Sequence, residues 1–260
     1  MSRNIPKVIH YCWFGGKPLP KMAKKCIKSW KKYLPDYEIK QWDESNFNVN
    51  IIPYTAQAYE AKKYAFVSDY ARFWILYNYG GLYFDTDVEI IRPMDDIIAT
   101  GSFMGCEKEY ISPGNPISLC VNPGLGIGAP KGTSFYKDVL DLYMTLRFTN
   151  ENGFQNLTTI VEYISNILYK NGMVNTGAIQ KINEIYIYPK EYFCPLTPTL
   201  LLNITKNTRS IHHFDASWET HAVKLRKKVK RLLGYKVVSY IQPMINRIHQ
   251  ILKNDLSLWR

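Results

Sequence analysis

The sequence predicts an α/β fold, and three stretches carry that expectation. "KVIHYCWFGG" is a short apolar run closed by a glycine pair, the signature of a buried strand followed by a turn. Apolar residues then recur at helical spacing before Tyr79, and Gly80 supplies a stop. "YNYGGLYFDTDVEIIRP" follows at once and again reads as a strand. Strands alternating with helices in this way build a sheet flanked by helices, here through about Trp218.

Taken in order, the first strand is followed by a helix over Lys21 to Tyr33, with Met22, Ile27 and Trp30 on its apolar side and an end near Leu34-Pro35. "YEIKQWD" alternates as a second strand, with Tyr37, Ile39 and Gln41 on one side. Gln57 to Tyr79 reads as one long helix through Ala65, Phe66, Tyr70, Phe73, Trp74 and Tyr77. Leu82 to Ile91 reads as one strand carrying Asp85 and Asp87. "CVNPGLGIGAP" reads as strand and turn, Thr133 to Phe148 and Asn156 to Asn171 as helices. "EIYIYPKEYFCP" and "RSIHHFDASW" read as strands running into loops.

Composition bounds the class. With 260 residues, 46% of them hydrophobic, the chain is long enough for one large core. No run approaches the roughly 20 apolar residues of a membrane-spanning helix. "MSRNIPKVIHYCWFGG" has no convincing signal peptide, and five scattered cysteines without a C-x-x-C pair point to reduced thiols in the cytoplasm. The net charge is +11, but residues 222–260 hold ten Lys/Arg against one acid, Asp255. That surplus of nine leaves only +2 for the body, so nucleic-acid binding by the whole protein is not expected. The division expected is a catalytic domain over 1–221 and a basic amphipathic helical tail over 222–260. The tail keeps helical spacing at Val229, Leu232, Leu233, Val237, Tyr240 and Ile241, and beyond Pro243 at Met244, Ile245, Ile248, Ile251 and Leu252. Such a helix could pack on the core, bind a partner or lie on an anionic membrane surface; nine net positive charges among Val, Leu and Ile fit the last best, which would place the protein peripherally on the inner face of the cytoplasmic membrane.

Two constellations carry chemistry. On a strand, residues i and i+2 share a face, so Asp85 and Asp87 should project together and repel unless a cation sits between them. Hard oxygen ligands of this kind suit Mg²⁺ or Mn²⁺, which commonly bridge to a substrate phosphate. Asp69 and Arg72 in "FVSDYARF" share a helix face. They read either as an ordinary ion pair or as an acid and guanidinium that hold a polyhydroxylated or phosphorylated ligand.

"IPKVIHYCWFGG", "AFVSDYARFWILYNYGGLYFDTDVEII", "IYIYPKEYFCP" and "TRSIHHFDASW" together resemble glycosyltransferase family 32, over about Ile5 to Trp218. That family includes bacterial capsular-polysaccharide sugar transferases and is distantly similar to the large clostridial glucosylating toxins. The resemblance implies a GT-A nucleotide-diphospho-sugar transferase fold with a mostly parallel sheet, a divalent metal, and retaining hexosyl transfer from a nucleotide-sugar donor to a glycan acceptor, possibly lipid-linked. It implies that Asp85 contacts the donor ribose and sugar hydroxyls, and that Asp87 ligates the metal. Asp69 and Arg72 would hold the transferred sugar, and Trp13 would lie against the nucleobase. His212 or His213 would be a further metal ligand, Ser217 and Trp218 a loop over the diphosphate, and Asn122 a contact to the sugar. The chain departs from the pattern at Gly177-Ala178, where many relatives have Gly-Pro, which leaves the acceptor wall open.

Two other classes compete. "LYFDTDV" also fits a phosphohydrolase of the haloacid-dehalogenase type, but that chemistry needs a late acidic pair, and Asp95-Asp96 comes too soon. A non-catalytic basic membrane-binding protein would use the tail alone and would leave the acidic constellation unexplained.

Overall fold

A computed structural model describes residues 4–109, 119–196 and 202–215. The expected tail and Ser217-Trp218 lie outside the described residues. Residues 4–195 and 203–215 belong to one compact unit, which holds every described helix and strand. Leu196 and Leu202, which fall outside that unit, are joined by an isolated antiparallel bridge.

The elements in chain order are β1 (Val8–Cys12), α1 (Lys21–Tyr33), β2 (Glu38–Trp42), α2 (Pro53–Glu60), α3 (Tyr64–Tyr79), β3 (Gly81–Tyr83), β4 (Val88–Ile90), α4 (Asp95–Thr100) and β5 (Phe103–Glu109). There follow β6 (Leu119–Val121), a 3-10 turn at Pro123–Leu125, β7 (Ile127–Ala129), α5 (Ser134–Thr145), α6 (Ile160–Lys170), β8 (Gln180–Ile182), β9 (Ile185–Tyr188), α7 (Lys190–Phe193) and β10 (Ser210–His212). The α/β class expected from the sequence is what the structure has. The main sheet runs β2-β1-β3-β7-β5-β9-β8, with β6 paired to β5. Its pairings are parallel at β2-β1-β3 and at β5-β9 and antiparallel elsewhere. Two apolar cores cover its faces. One packs residues of α2, α3, α5 and α6 against Tyr83, Met104 and Ile127; the other packs α1, α4 and α7 against Ile9, Leu82 and Phe103. Alternation along each strand divides its side chains between the two.

Three readings are corrected. The helix expected over Gln57–Tyr79 is two helices, because the chain leaves α2 through a Schellman motif. Lys62 takes a left-handed φ of 58°. Its N–H donates to the Tyr59 carbonyl at 2.9 Å, and the Lys63 N–H donates to Ala58 at 2.8 Å. The strand expected over Leu82–Ile91 is also divided. β3 stays in the main sheet, Asp85 to Asp87 lie in a turn, and β4 leaves to pair antiparallel with β10. Finally, β5 was not foreseen, although it sits between β7 and β9 inside the sheet.

Gly80 ends α3 as expected, with φ 67° and its N–H donating to Leu76 at 2.8 Å. The neighbouring Gly81 has φ 108°, and a Cβ there would sit 2.6 Å from the Val8 carbonyl oxygen. Only glycine lets β3 approach β1 so closely. His10 on β1 locks this corner. Its Nε2–H donates to the Gly80 carbonyl at 3.0 Å, and its Nδ1 accepts the Trp42 indole N–H at 3.0 Å. Burial first, and the charge of Lys40 to a lesser degree, push the imidazole down to about 4, against the pull of the Gly80 carbonyl.

The neutral ring makes a pH prediction. Between pH 6.5 and about 4 the unfolded chain holds the His10 proton and the folded chain does not. The contribution is therefore complete above pH 6.5 and is lost as pH falls towards 4, by up to about 3 kcal/mol. Urea unfolding of the wild type and His10→Gln, run from pH 7.5 to 4.5, should show their stability gap shrinking on acidification. A gap constant with pH would refute the neutral clasp. The difference between the two proteins is the proper readout, because the buried Asp69 titrates in the opposite sense in both.

Candidate active site

The site is assembled where α3 meets the turn between β3 and β4. α3 is buried around most of its circumference, which carries Asp69 and Arg72 into the interior at 9% and 3% exposure. A guanidinium so placed requires negative partners. Arg72 Nη2 lies 2.8 Å from Asp69 Oδ1 and 3.4 Å from Asp85 Oδ1. Its Nε donates to the Ser68 carbonyl at 3.2 Å, and the group stands 5.1 Å over the Tyr83 ring. Tyr83, inward-facing on β3, donates its hydroxyl to Asp85 Oδ1 at 3.1 Å.

The second half comes from the β4–β10 pair. Val88 faces His212 across that ladder, which brings the imidazole beside Asp87. His212 Nε2 is 3.1 Å from Asp87 Oδ1, and the Asp215 N–H donates to Asp87 Oδ2 at 2.9 Å. One potential ligand atom from each of Asp85, Asp87 and His212 falls within 4.8 Å of the others. The two aspartates therefore converge from a turn, and not from one face of a strand as expected. Of the paired histidines, His212 joins the two aspartates, whereas His213 meets Glu89 at 2.8 Å.

Asn122 is buried beside Asp85. Its Oδ1 accepts the Gly124 N–H at 2.7 Å, and the Gly124 carbonyl accepts the Asp85 N–H at 3.2 Å. A Cβ on Gly124 would fall 2.2 Å from Asp85 Oδ2, so glycine is what allows this wall to touch the carboxylate. Trp13 stands outside this network. Half-buried just past β1, it donates its indole N–H to the Lys17 carbonyl at 2.5 Å. Asp95-Asp96 are also apart, with Asp96 held by Arg209 at 2.6 Å. Tyr83 and Glu107 were missed. For Tyr83 the signal was available, since it lies two residues before Asp85.

The carboxylates differ in charge preference. Burial pushes Asp69 up to about 7, with Arg72 opposing and Asp85 reinforcing the shift. Burial also raises Asp85, against Arg72 and with Asp87. Burial works against the charge on Asp87 too, yet His212 and the Asp215 N–H outweigh it and hold that carboxyl below its usual range. For His212, burial disfavours the imidazolium, but Asp87 and then Asp85 and Glu107 raise it. Arg72 stays charged because Asp85, Tyr83 and Asp69 overcome its burial. His212 Nδ1 is buried without a hydrogen-bond partner among the described residues. Two carboxylates and an imidazole with a spare nitrogen fit a divalent cation.

Residues 20–104 match the family model described as a glycosyltransferase sugar-binding region containing a DXD motif. The chain is similar to glycosyltransferases. Over 101 residues it is 36% identical to inositol phosphoceramide mannosyltransferase 3 of Schizosaccharomyces pombe, a match covering 37% of this chain and 28% of that one. Inositol phosphoceramide mannosyltransferase 1 of the same yeast is 27% identical over 123 residues, 43% and 37% of the two chains. The chain thus spans well under half the length of these two relatives. An uncharacterised glycosyltransferase, L373, of Acanthamoeba polyphaga mimivirus is 26% identical over 205 residues, covering 75% and 79%. Among solved structures, the PaToxG glycosyltransferase overlays with a TM-score of 0.47 at 21% identity, covering 64% of this chain and 69% of that one.

The buried network predicts a specific stability defect. Arg72→Ala should cost about 3–5 kcal/mol in urea unfolding at neutral pH, because it leaves two carboxyls facing each other without their cation. Adding Asp69→Asn should recover part of that loss. A cost below about 1 kcal/mol would show that the guanidinium is dispensable to the fold.

Proposed function

We propose that the protein is a metal-dependent, retaining hexosyltransferase that moves a sugar from a nucleotide-diphosphate donor to a hydroxyl of a glycan acceptor. The observation that carries this reading is the meeting of Asp85 and Asp87 with His212 beside the Asp69–Arg72 pair, the four residues other than His212 lying within the segment that matches the DXD region. A Mn²⁺ ion fits this donor set better than Mg²⁺, since one ligand is an imidazole. Held by Asp87, Asp85 and His212, the cation would offset charge on the leaving diphosphate.

The chain's own groups do the rest. Asp85 and Tyr83, tied to Arg72, form a hydrogen-bonding edge for the ribose and sugar hydroxyls. Asp69, shifted towards neutrality, can donate to or accept from a hydroxyl near pH 7. Arg72 adds positive potential where negative charge grows as the sugar–phosphate bond breaks. The anomeric carbon then resembles the oxocarbenium states of glycoside hydrolysis. With retention taken from the resemblance to family 32, the acceptor hydroxyl attacks on the face the diphosphate leaves. Its proton passes to the departing phosphate oxygen. Trp13 would cover the nucleobase, and Ser217 and Trp218 would close over the diphosphate. A role in capsular or other surface polysaccharide synthesis follows from the resemblance to family 32. The basic tail would hold the enzyme peripherally at the inner face of the cytoplasmic membrane, near a lipid-linked acceptor.

Release of nucleoside diphosphate from a panel of UDP- and GDP-sugars, with Mn²⁺ or Mg²⁺, tests the reading. One donor should turn over with metal and not with excess EDTA. Asp87→Asn should fold normally and lose ~100-fold or more of that rate. A folded, fully active Asp87→Asn protein would sink the metal assignment. Removal of the residues after Ala222 should reduce cosedimentation with phosphatidylserine vesicles. Unchanged sedimentation would rule out the tail as the anchor.

A further inference from the structure

Glu107 lies on β5, a strand without a role in the site as read from the sequence, and two independent features single it out. The first is backbone geometry. Cys106 pairs with Val121 but Lys108 pairs with Cys120, so β5 advances two residues where β6 advances one. Glu107 occupies that bulge, and bulges beside binding sites commonly serve to re-aim a side chain. The second is its bond. The re-aimed carboxylate accepts the Asn122 side-chain N–H, with Glu107 Oε2 at 2.7 Å from Nδ2.

That bond settles the orientation of an amide that could otherwise face either way. With Nδ2 on Glu107, Asn122 Oδ1 is left to accept the Gly124 N–H at 2.7 Å. A carboxylate can only accept here, so the reversed amide would set two oxygens against each other and leave its NH₂ facing the Gly124 N–H. The same loop is fixed at its base by the Asn122 N–H, which donates to the Gly105 carbonyl at 3.0 Å. The Gly124 carbonyl accepts the Asp85 N–H at 3.2 Å, and its Cα packs directly on Asp85 Oδ2. A chain of contacts thus runs from Glu107 through Asn122 and Gly124 to Asp85.

We propose that Glu107 is a positioning residue of the transferase site, fixing the Asn122 amide and through it the Gly124 wall against which Asp85 is set. This role rests on the glycosyl-transfer reading. Glu107 needs to touch no substrate to exert it. Its function is to hold a hydrogen-bonding loop and a ligand carboxylate in one arrangement, so that little reorganisation is left for the reaction itself.

Kinetics of nucleoside diphosphate release, with Asn122→Ala, Glu107→Ala, Glu107→Gln and the Glu107→Ala/Asn122→Ala double variant, tests it, using thermal melting to confirm folding. Glu107→Ala should lower kcat about tenfold or more, and Asn122→Ala similarly. The double variant should be no worse than either single, since both act through one contact. Glu107→Gln should retain most of the rate, because its carboxamide oxygen still accepts from Asn122 Nδ2. An unaffected Glu107→Ala, additive losses in the double variant, or a Glu107→Gln as poor as Glu107→Ala would each overturn the role. A wild type that turns over no donor overturns the glycosyl-transfer reading and this role with it. An active wild type beside an unaffected Glu107→Ala sinks only the role.

Discussion

The structure around the candidate site depends on one buried cation. α3 packs against α2, α5 and β1, and its register puts Arg72 inside, where a guanidinium without partners would be prohibitively costly. Asp69 from the same helix and Asp85 from the following turn supply the opposite charge, and the Tyr83 ring supplies a π face. These contacts do more than neutralise. They fix the angle at which the chain leaves β3, because Asp85 is held by Arg72, by the Tyr83 hydroxyl and by its own N–H on Gly124. A helix, a strand and a loop are thereby tied at one carboxylate.

The other half of the site has a different foundation. β4 leaves the main sheet and, among the described residues, pairs with β10 alone, so Asp87 is positioned by a two-stranded ribbon. Its carbonyl accepts the His213 N–H at 3.0 Å while its carboxylate meets His212 and the Asp215 N–H. Glu89, beside His213 and Lys25, anchors the same ribbon from its outer side. The Asp69–Arg72–Asp85 side is therefore set by the main sheet and α3, and the Asp87–His212 side by a segment far along the chain.

This division explains what was legible in the sequence. Asp69, Arg72, Asp85 and Asp87 could be read because they are local, lying on one helix and the turn that follows it. The apolar run from Leu82 to Ile91 looked unbroken, since each half is rich in β-formers and the change of sheet is caused by pairing with residues 210–212. The break at Lys62 had no glycine to announce it; a lysine adopts the left-handed conformation there because the Schellman bonds favour it. β5 was hidden for another reason. Its apolar run, Phe103 to Cys106, is short and ends in charged residues, and its place inside the sheet is fixed by long-range partners on β7 and β9. Missing β5 meant missing Glu107. His212 was singled out only as one of a pair, and the direction of β10 was needed to separate its surroundings from those of His213.

The pattern of charge preferences joins the two halves. Within one small cluster, burial drives Asp69 and Asp85 upward, while His212 and a backbone N–H hold Asp87 down. Three neighbouring carboxyls thus occupy different electrostatic environments, the condition under which similar groups take different chemical roles. Asp87, the most firmly ionised, is the natural ligand for a hard cation. Asp69, the group most easily protonated, is suited to exchanging hydrogen bonds with a hydroxyl. Asp85 lies between them and is bonded to the machinery of both, through Arg72 on one side and the shared ligand cluster on the other. Displacing Asp85 would disturb the Arg72 network and the Asp87–His212 cluster together, and the Gly124 wall stands close behind it.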